Sequence, residues 1–74
     1  MDDKTRQAIK DMRFDLAKLE LRLYQTPENA RISFPDGTVR YCREIIEDQI
    51  LEVRSRLKVM LDIEKFYEEK EQEQ

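Results

Sequence analysis

Three arginines and a tyrosine, Arg31, Arg40, Tyr41 and Arg43, fall within one short stretch of the chain and give it a locally positive balance. Guanidinium groups fork onto phosphate and carboxylate oxygens, and an aromatic ring beside them can stack on a base. This group is therefore the candidate for binding a phosphate, a nucleotide or the acidic surface of another protein. The plainer reading is that polar strand faces of small proteins often carry arginines, whose exposed ion pairs contribute little. Cys42 sits between Tyr41 and Arg43. Nearby arginines and a helix N-terminus lower a thiol pKa, which would suit a nucleophile. The chain contains no histidine to act as its base, so a small packing residue is the better reading. Glu44, Glu47, Asp48 and Glu52 cluster a little further on, where acid/base or hard-metal chemistry is conceivable. No histidine or glycine-rich loop accompanies them, and Glu52 with Arg56 has the i,i+4 spacing of a helix ion pair, so a solvated face is expected. No catalytic residue, metal site or cofactor is expected, and the chain is read as not an enzyme.

The elements that must carry these residues are two amphipathic helices. Ile9, Met12, Leu16, Leu19 and Leu23 step alternately by three and four, as do Ile46, Ile50, Val53, Leu57 and Met60, with Tyr67 a further seven on. The first helix is expected to begin between Asp2 and Thr5, where capping side chains meet the positive end of the dipole. It should end near Gln25, because Pro27 disfavours helix at Thr26. The second is expected from about Arg43 to Glu69, with residues 68–74 a frayed acidic tail. The fold class is mostly α: two long antiparallel helices joined by a short β-hairpin or a turn-rich loop, in a single domain spanning residues 1–74.

Residues 30–41 admit two readings. In one, Arg31–Phe34 and Thr38–Tyr41 are strands around Pro35-Asp36-Gly37, a type I turn with a glycine bulge. A three-residue loop pairs Ile32 with Arg40, whereas a cleaner apolar face of Ile32, Phe34, Val39 and Tyr41 needs a two-residue loop, so the register stays open. In the other, Thr38 is a helix N-cap and Val39, Cys42 and Ile46 extend the second seam, leaving Ile32 and Phe34 as loop residues.

Composition bounds the function. With 74 residues, 42% charged and 39% hydrophobic, the chain is rich in apolar residues for disorder yet close to the size at which one core gives only a few kcal/mol. A homo-oligomer or a protein partner is expected. Phe14, Ala17, Leu21 and Tyr24 form a second apolar row on the first helix. Val59, Ile63 and Phe66 form one on the second helix, where its greater length is expected to project past the first. With Tyr67, these three are the candidate self-association interface. A net charge of −3 argues against nucleic acid as a partner. One cysteine excludes an internal disulfide and favours a reducing, cytoplasmic setting, and no apolar run or leader pattern suggests a membrane or processing.

The order helix, β-hairpin, helix, with Arg31-Ile32-Ser33-Phe34-Pro35-Asp36-Gly37-Thr38-Val39-Arg40-Tyr41 as two short alternating strands around an Asp-Gly turn, resembles the head-completion (head-to-tail joining) protein W family of tailed phages. The second helix departs from that pattern by following the hairpin almost directly and by its acidic tail. The resemblance implies a virion-associated ring of copies under a portal complex, contacts made by the hairpin arginines and helix faces, and no enzymatic activity. The leading expectation is a non-enzymatic assembly protein such as a phage head-tail adaptor. The alternative is a small regulator or inhibitor that binds a host protein or nucleotide through Arg31, Arg40, Arg43 and Tyr41.

Overall fold

Pro27 and Gly37 divide the chain into its parts. A computed structural model describes residues 3–72, with helix α1 at Asp3–Gln25, strand β1 at Arg31–Ser33, strand β2 at Val39–Tyr41 and helix α2 at Cys42–Gln72. Asp3 and Arg22 in α1, and Glu44 and Lys70 in α2, place acid at the positive and base at the negative helix ends. The α2 helix runs three residues beyond the expected Glu69; of the acidic tail, 73 and 74 lie outside the described residues. Among the described residues, no helix is long and apolar enough to cross a membrane.

The β-hairpin reading holds, and the helix does not start at Thr38. Arg31 pairs with Tyr41, Ile32 with Arg40 and Ser33 with Val39, which is the register of the three-residue loop. Its cause is at the tip. The Gly37 amide donates to the Phe34 carbonyl at 3.0 Å and the Phe34 amide to the Thr38 carbonyl at 2.8 Å, with Gly37 at φ +90°. A type I turn followed by a left-handed glycine closes a hairpin in this way. The apolar side chains are then divided, Ile32 and Phe34 on one face and Val39 and Tyr41 on the other, and all four are exposed. The turn chemistry outweighed the tidier apolar face.

Asp36 pins the tip. Its carboxylate accepts from the Thr38 hydroxyl at 2.7 Å and the Thr38 amide at 3.0 Å. These bonds hold its pKa below the ordinary 3.8. Because the folded value is the lower one, the tip is stabilised above pH 3.8 and loses that contribution as pH falls through the depressed value.

At the base, Pro27 accepts from the Ala30 amide at 3.2 Å and Ala30 from the Cys42 amide at 2.9 Å. The first amide of α2 is thus tied to the segment that leaves α1. This short closure sends α2 back antiparallel to α1.

Both seams end up between the helices. Ile9, Ile46 and Ile50 are only 5%, 7% and 5% exposed, and they are the only buried hydrophobic residues among those described. Met12, Leu16, Leu19, Leu23, Val53, Leu57 and Met60 are half-buried. Tyr67, the expected last seam position, is instead 47% exposed. Leu19 shares a groove with Val53, and Leu23 shares one with Ile50. At about 1.5 Å of rise per residue this register sets the start of α1 level with the last turns of α2. The extra length of α2 is therefore split between its ends, and Val59, Ile63 and Phe66 do not project past α1. They are uncovered because they lie more than a quarter turn round α2 from its seam.

Open space surrounds the position where a Gly37 side chain would begin, so the demand for glycine comes from backbone conformation alone. Gly37→Ala is expected to destabilise the fold by about 1 kcal/mol, read as a lower urea midpoint with an unchanged slope.

Candidate functional site

The four candidate binding residues do not share one surface. Arg43, in the first turn of α2, reaches back across the junction and donates to the Thr26 carbonyl at 3.1 Å and the Leu23 carbonyl at 3.4 Å. The Thr26 hydroxyl donates to the Arg22 carbonyl at 2.6 Å, and its amide to Leu23 at 3.2 Å. Two of the last carbonyls of α1, those of Arg22 and Leu23, and the Thr26 carbonyl just beyond it thus find donors in one threonine and one guanidinium, whose charge also complements the negative end of the helix. Arg43 is a structural clamp.

Arg40 is engaged as well. It lies across from Ile32 on the hairpin and donates to Asp48 of α2 at 2.6 Å, both side chains being substantially exposed. Tyr41 pairs with Arg31 at the base of the strands, on the opposite face from Arg40, because side chains alternate along a strand. Of the four, Arg31 alone is an arginine with no ion pair or side-chain hydrogen bond among the described residues. A phosphate would have to displace two existing interactions to engage all three arginines. Sequence proximity suggests a cluster of four; strand alternation keeps Arg31 and Tyr41 together on one face and sets Arg40 on the other, with Arg43 drawn into the helix junction.

The carboxylates are spread along α2 and paired in part. Asp48 holds Arg40, and Glu52 accepts from Arg56 at 2.6 Å, which is the expected i,i+4 pair. Glu20 of α1 accepts from Arg54 of α2 at 3.0 Å, a cross-helix link that spacing within either helix does not reveal. No group of three or more histidine, cysteine, aspartate or glutamate side chains is placed to hold a metal among the described residues. Cys42 is a free, half-buried thiol at the junction of strand and helix.

The candidate self-association residues are brought together. Val59, Ile63, Phe66 and Tyr67 line an open groove of about 450 Å³ on the C-terminal half of α2, joined by Asp62. Phe66 and Tyr67 stack edge to face, with ring centroids 5.9 Å apart and planes at 73°, a favoured aromatic geometry. Both rings are exposed.

A second apolar surface lies on α1. Phe14, Leu21 and Tyr24 are exposed, Tyr24 by 86%, and they lie on the side of the helix away from the seam. The Lys18 ammonium rests 4.7 Å from the Phe14 ring centroid. The i,i+4 spacing of Phe14 and Lys18 is the sequence signal for this contact. Leu51 is a further exposed side chain, beside Ile50 and Arg54, that neither seam nor row had marked.

Arg43→Ala is expected to cost about 1–3 kcal/mol, since it leaves the Thr26 carbonyl without its donor at a half-buried junction. Arg40→Ala removes an exposed pair and should cost under about 1 kcal/mol. Chemical denaturation of both variants checks the order; equal losses would contradict the clamp.

Comparison with protein-family models, with curated proteins and with solved structures finds no match to this chain.

Proposed function

We propose that this chain is a non-enzymatic structural protein that works by assembling, through outward helix faces, with further copies of itself. The observation that carries this reading is the imbalance between what the fold covers and what it leaves bare. Among the described residues three hydrophobic side chains are buried, while twelve large hydrophobic ones are exposed.

The surface area points the same way. The chain exposes 6313 Å², where a compact monomer of 9.0 kDa would expose about 4,900 Å². Its radius of gyration is 17.2 Å, against about 11 Å for a compact domain of this length. Single exposed hydrophobics are ordinary, but aligned rows on two helices, one with an edge-to-face aromatic pair, are characteristic of interfaces. The engagement of Arg40 and Arg43 in holding the fold supports assembly over ligand binding by the hairpin arginines. A head-tail adaptor, the role implied by the resemblance in layout, is one form such an assembly protein would take, with a portal-type partner at one end of the stack.

Light scattering after size exclusion, over a concentration series, tests the reading. A mass that rises above that of one chain supports it. The double variant Ile63→Ser and Phe66→Ser should lower the mass while leaving helical circular dichroism intact. A clean single-chain mass at every concentration contradicts it.

A further inference from the structure

The outward row of α1 belongs to a heptad frame whose flanks are ordered by charge. Gln7, Lys10, Phe14, Ala17, Leu21 and Tyr24 step alternately by three and four, the spacing of a stripe that pairs in coiled coils. At about 100° per residue the stripe lies about 150° round α1 from the buried seam, and all six side chains are exposed. Along one flank run Asp11 and Lys18, and along the other Arg13 and Glu20. Each flank thus carries an acid and a base one heptad apart, in opposite order. Asp11, Arg13 and Lys18 make no ion pair among the described residues. Asp11 accepts from Gln7 at 2.8 Å, and Glu20 has its exposed pair with Arg54.

We infer that α1 of one copy lies antiparallel on α1 of a second copy, about a twofold axis level with Asp15 and Leu16. The proposal rests on the assembly reading above and names the face and register of one of its contacts. In an antiparallel pair each flank meets its own counterpart, so it is complementary to itself only if its acid comes level with its base. With the axis at this level, Asp11 faces Lys18 of the second copy and Arg13 faces Glu20, and symmetry repeats both pairs. Four opposite-charge pairs then border the contact. Between them Phe14 is level with Ala17, Leu21 with the Lys10 stem and Tyr24 with Gln7, so each large side chain meets a small or unbranched one. Further out, Lys4 faces Gln25, and Arg6 stands beside Asp3 where the chain beyond the other α1 brings Glu28 near.

Other arrangements lose this match. Sliding the pair by one heptad sets Glu20 against Glu20 and Lys18 against Lys18 in one direction, and Arg13 against Arg13 and Asp11 against Asp11 in the other. A parallel pair stacks Lys10 on Lys10 and brings Arg13 to Lys18. The α2 row, laid antiparallel on itself with Val59 level with Ile63, brings Asp62 against Asp62. Like charges set across an interface are costly, and so they select both partner and register.

Exchanging the charges of one flank tests the contact. Asp11→Lys alone sets bases opposite Lys18, and Lys18→Glu alone sets acids opposite Asp11. Each single variant should associate at least about tenfold more weakly than the parent chain, read by light scattering over a concentration series, with helical circular dichroism unchanged. The double variant Asp11→Lys, Lys18→Glu keeps the net charge of the parent and should regain its association, as should an equimolar mixture of the two single variants. If either the double variant or the mixture fails to recover, these charges meet another surface such as the α2 groove, which overturns the α1 twofold contact and leaves assembly standing. Single variants that associate as the parent does overturn it as well. A parent chain that stays single at every concentration removes the assembly reading and this contact with it.

Discussion

A pair of helices can bury only the stripe that each turns toward the other, and that limit shapes everything else in this protein. Fully burying an isoleucine side chain stabilises by about 1.5–3 kcal/mol, and only Ile9, Ile46 and Ile50 approach that condition among the described residues. A stripe of half-buried leucines, valine and methionines extends the contact along the helices. It does not close over the top. The apolar residues outside the stripe, from Phe14 on α1 to Phe66 on α2, have no second layer to meet within the chain, because the remaining element is a three-pair β-hairpin whose own apolar side chains are exposed.

Within that limit, polar chemistry at the junction orders the fold. The Thr26-Pro27 step ends α1 and frees its last carbonyls. The Thr26 hydroxyl then takes up that of Arg22, and the Arg43 guanidinium that of Leu23. The same arginine stands in the first turn of α2, so the interaction that finishes one helix also fixes where the next begins. Arg40 with Asp48 and Glu20 with Arg54 add exposed links of small energy; their service is to hold direction and register. Two arginines of the basic stretch 31–43, Arg40 and Arg43, are thus engaged inside the chain.

Much of this was legible in the sequence, for identifiable reasons. Heptad spacing marked the seams because the helical period maps directly onto the buried stripe, and Pro27 and Gly37 marked the breaks because their backbone constraints are local. The Glu52–Arg56 pair was legible for the same reason. The hairpin register was ambiguous because two rules opposed each other, and the glycine turn prevailed over apolar alternation. The partners of Arg40 and Arg43 were hidden because they depend on which residues the junction brings near. Apolar spacing marks the row Val59, Ile63 and Phe66, and helix length predicts that it projects past α1; the helix register shows instead that the row faces sideways. Tyr67 was placed in the seam by its spacing, yet so near the start of α1 too little of the partner helix remains to cover it. The pairing of Lys18 with Phe14 was visible in principle and needed charge and aromatic spacing to be read together.

If the seam alone supports the fold, its stability belongs to the single chain; if outward faces are covered by neighbouring copies, stability belongs to the assembly. Association that accompanies folding makes the unfolding midpoint depend on protein concentration. The most direct measurement is thermal unfolding by circular dichroism over a hundredfold range of concentration. The account predicts a midpoint that climbs steadily with concentration. A midpoint that stays fixed across the series would show that the bare faces contribute nothing to the native state, and would contradict it.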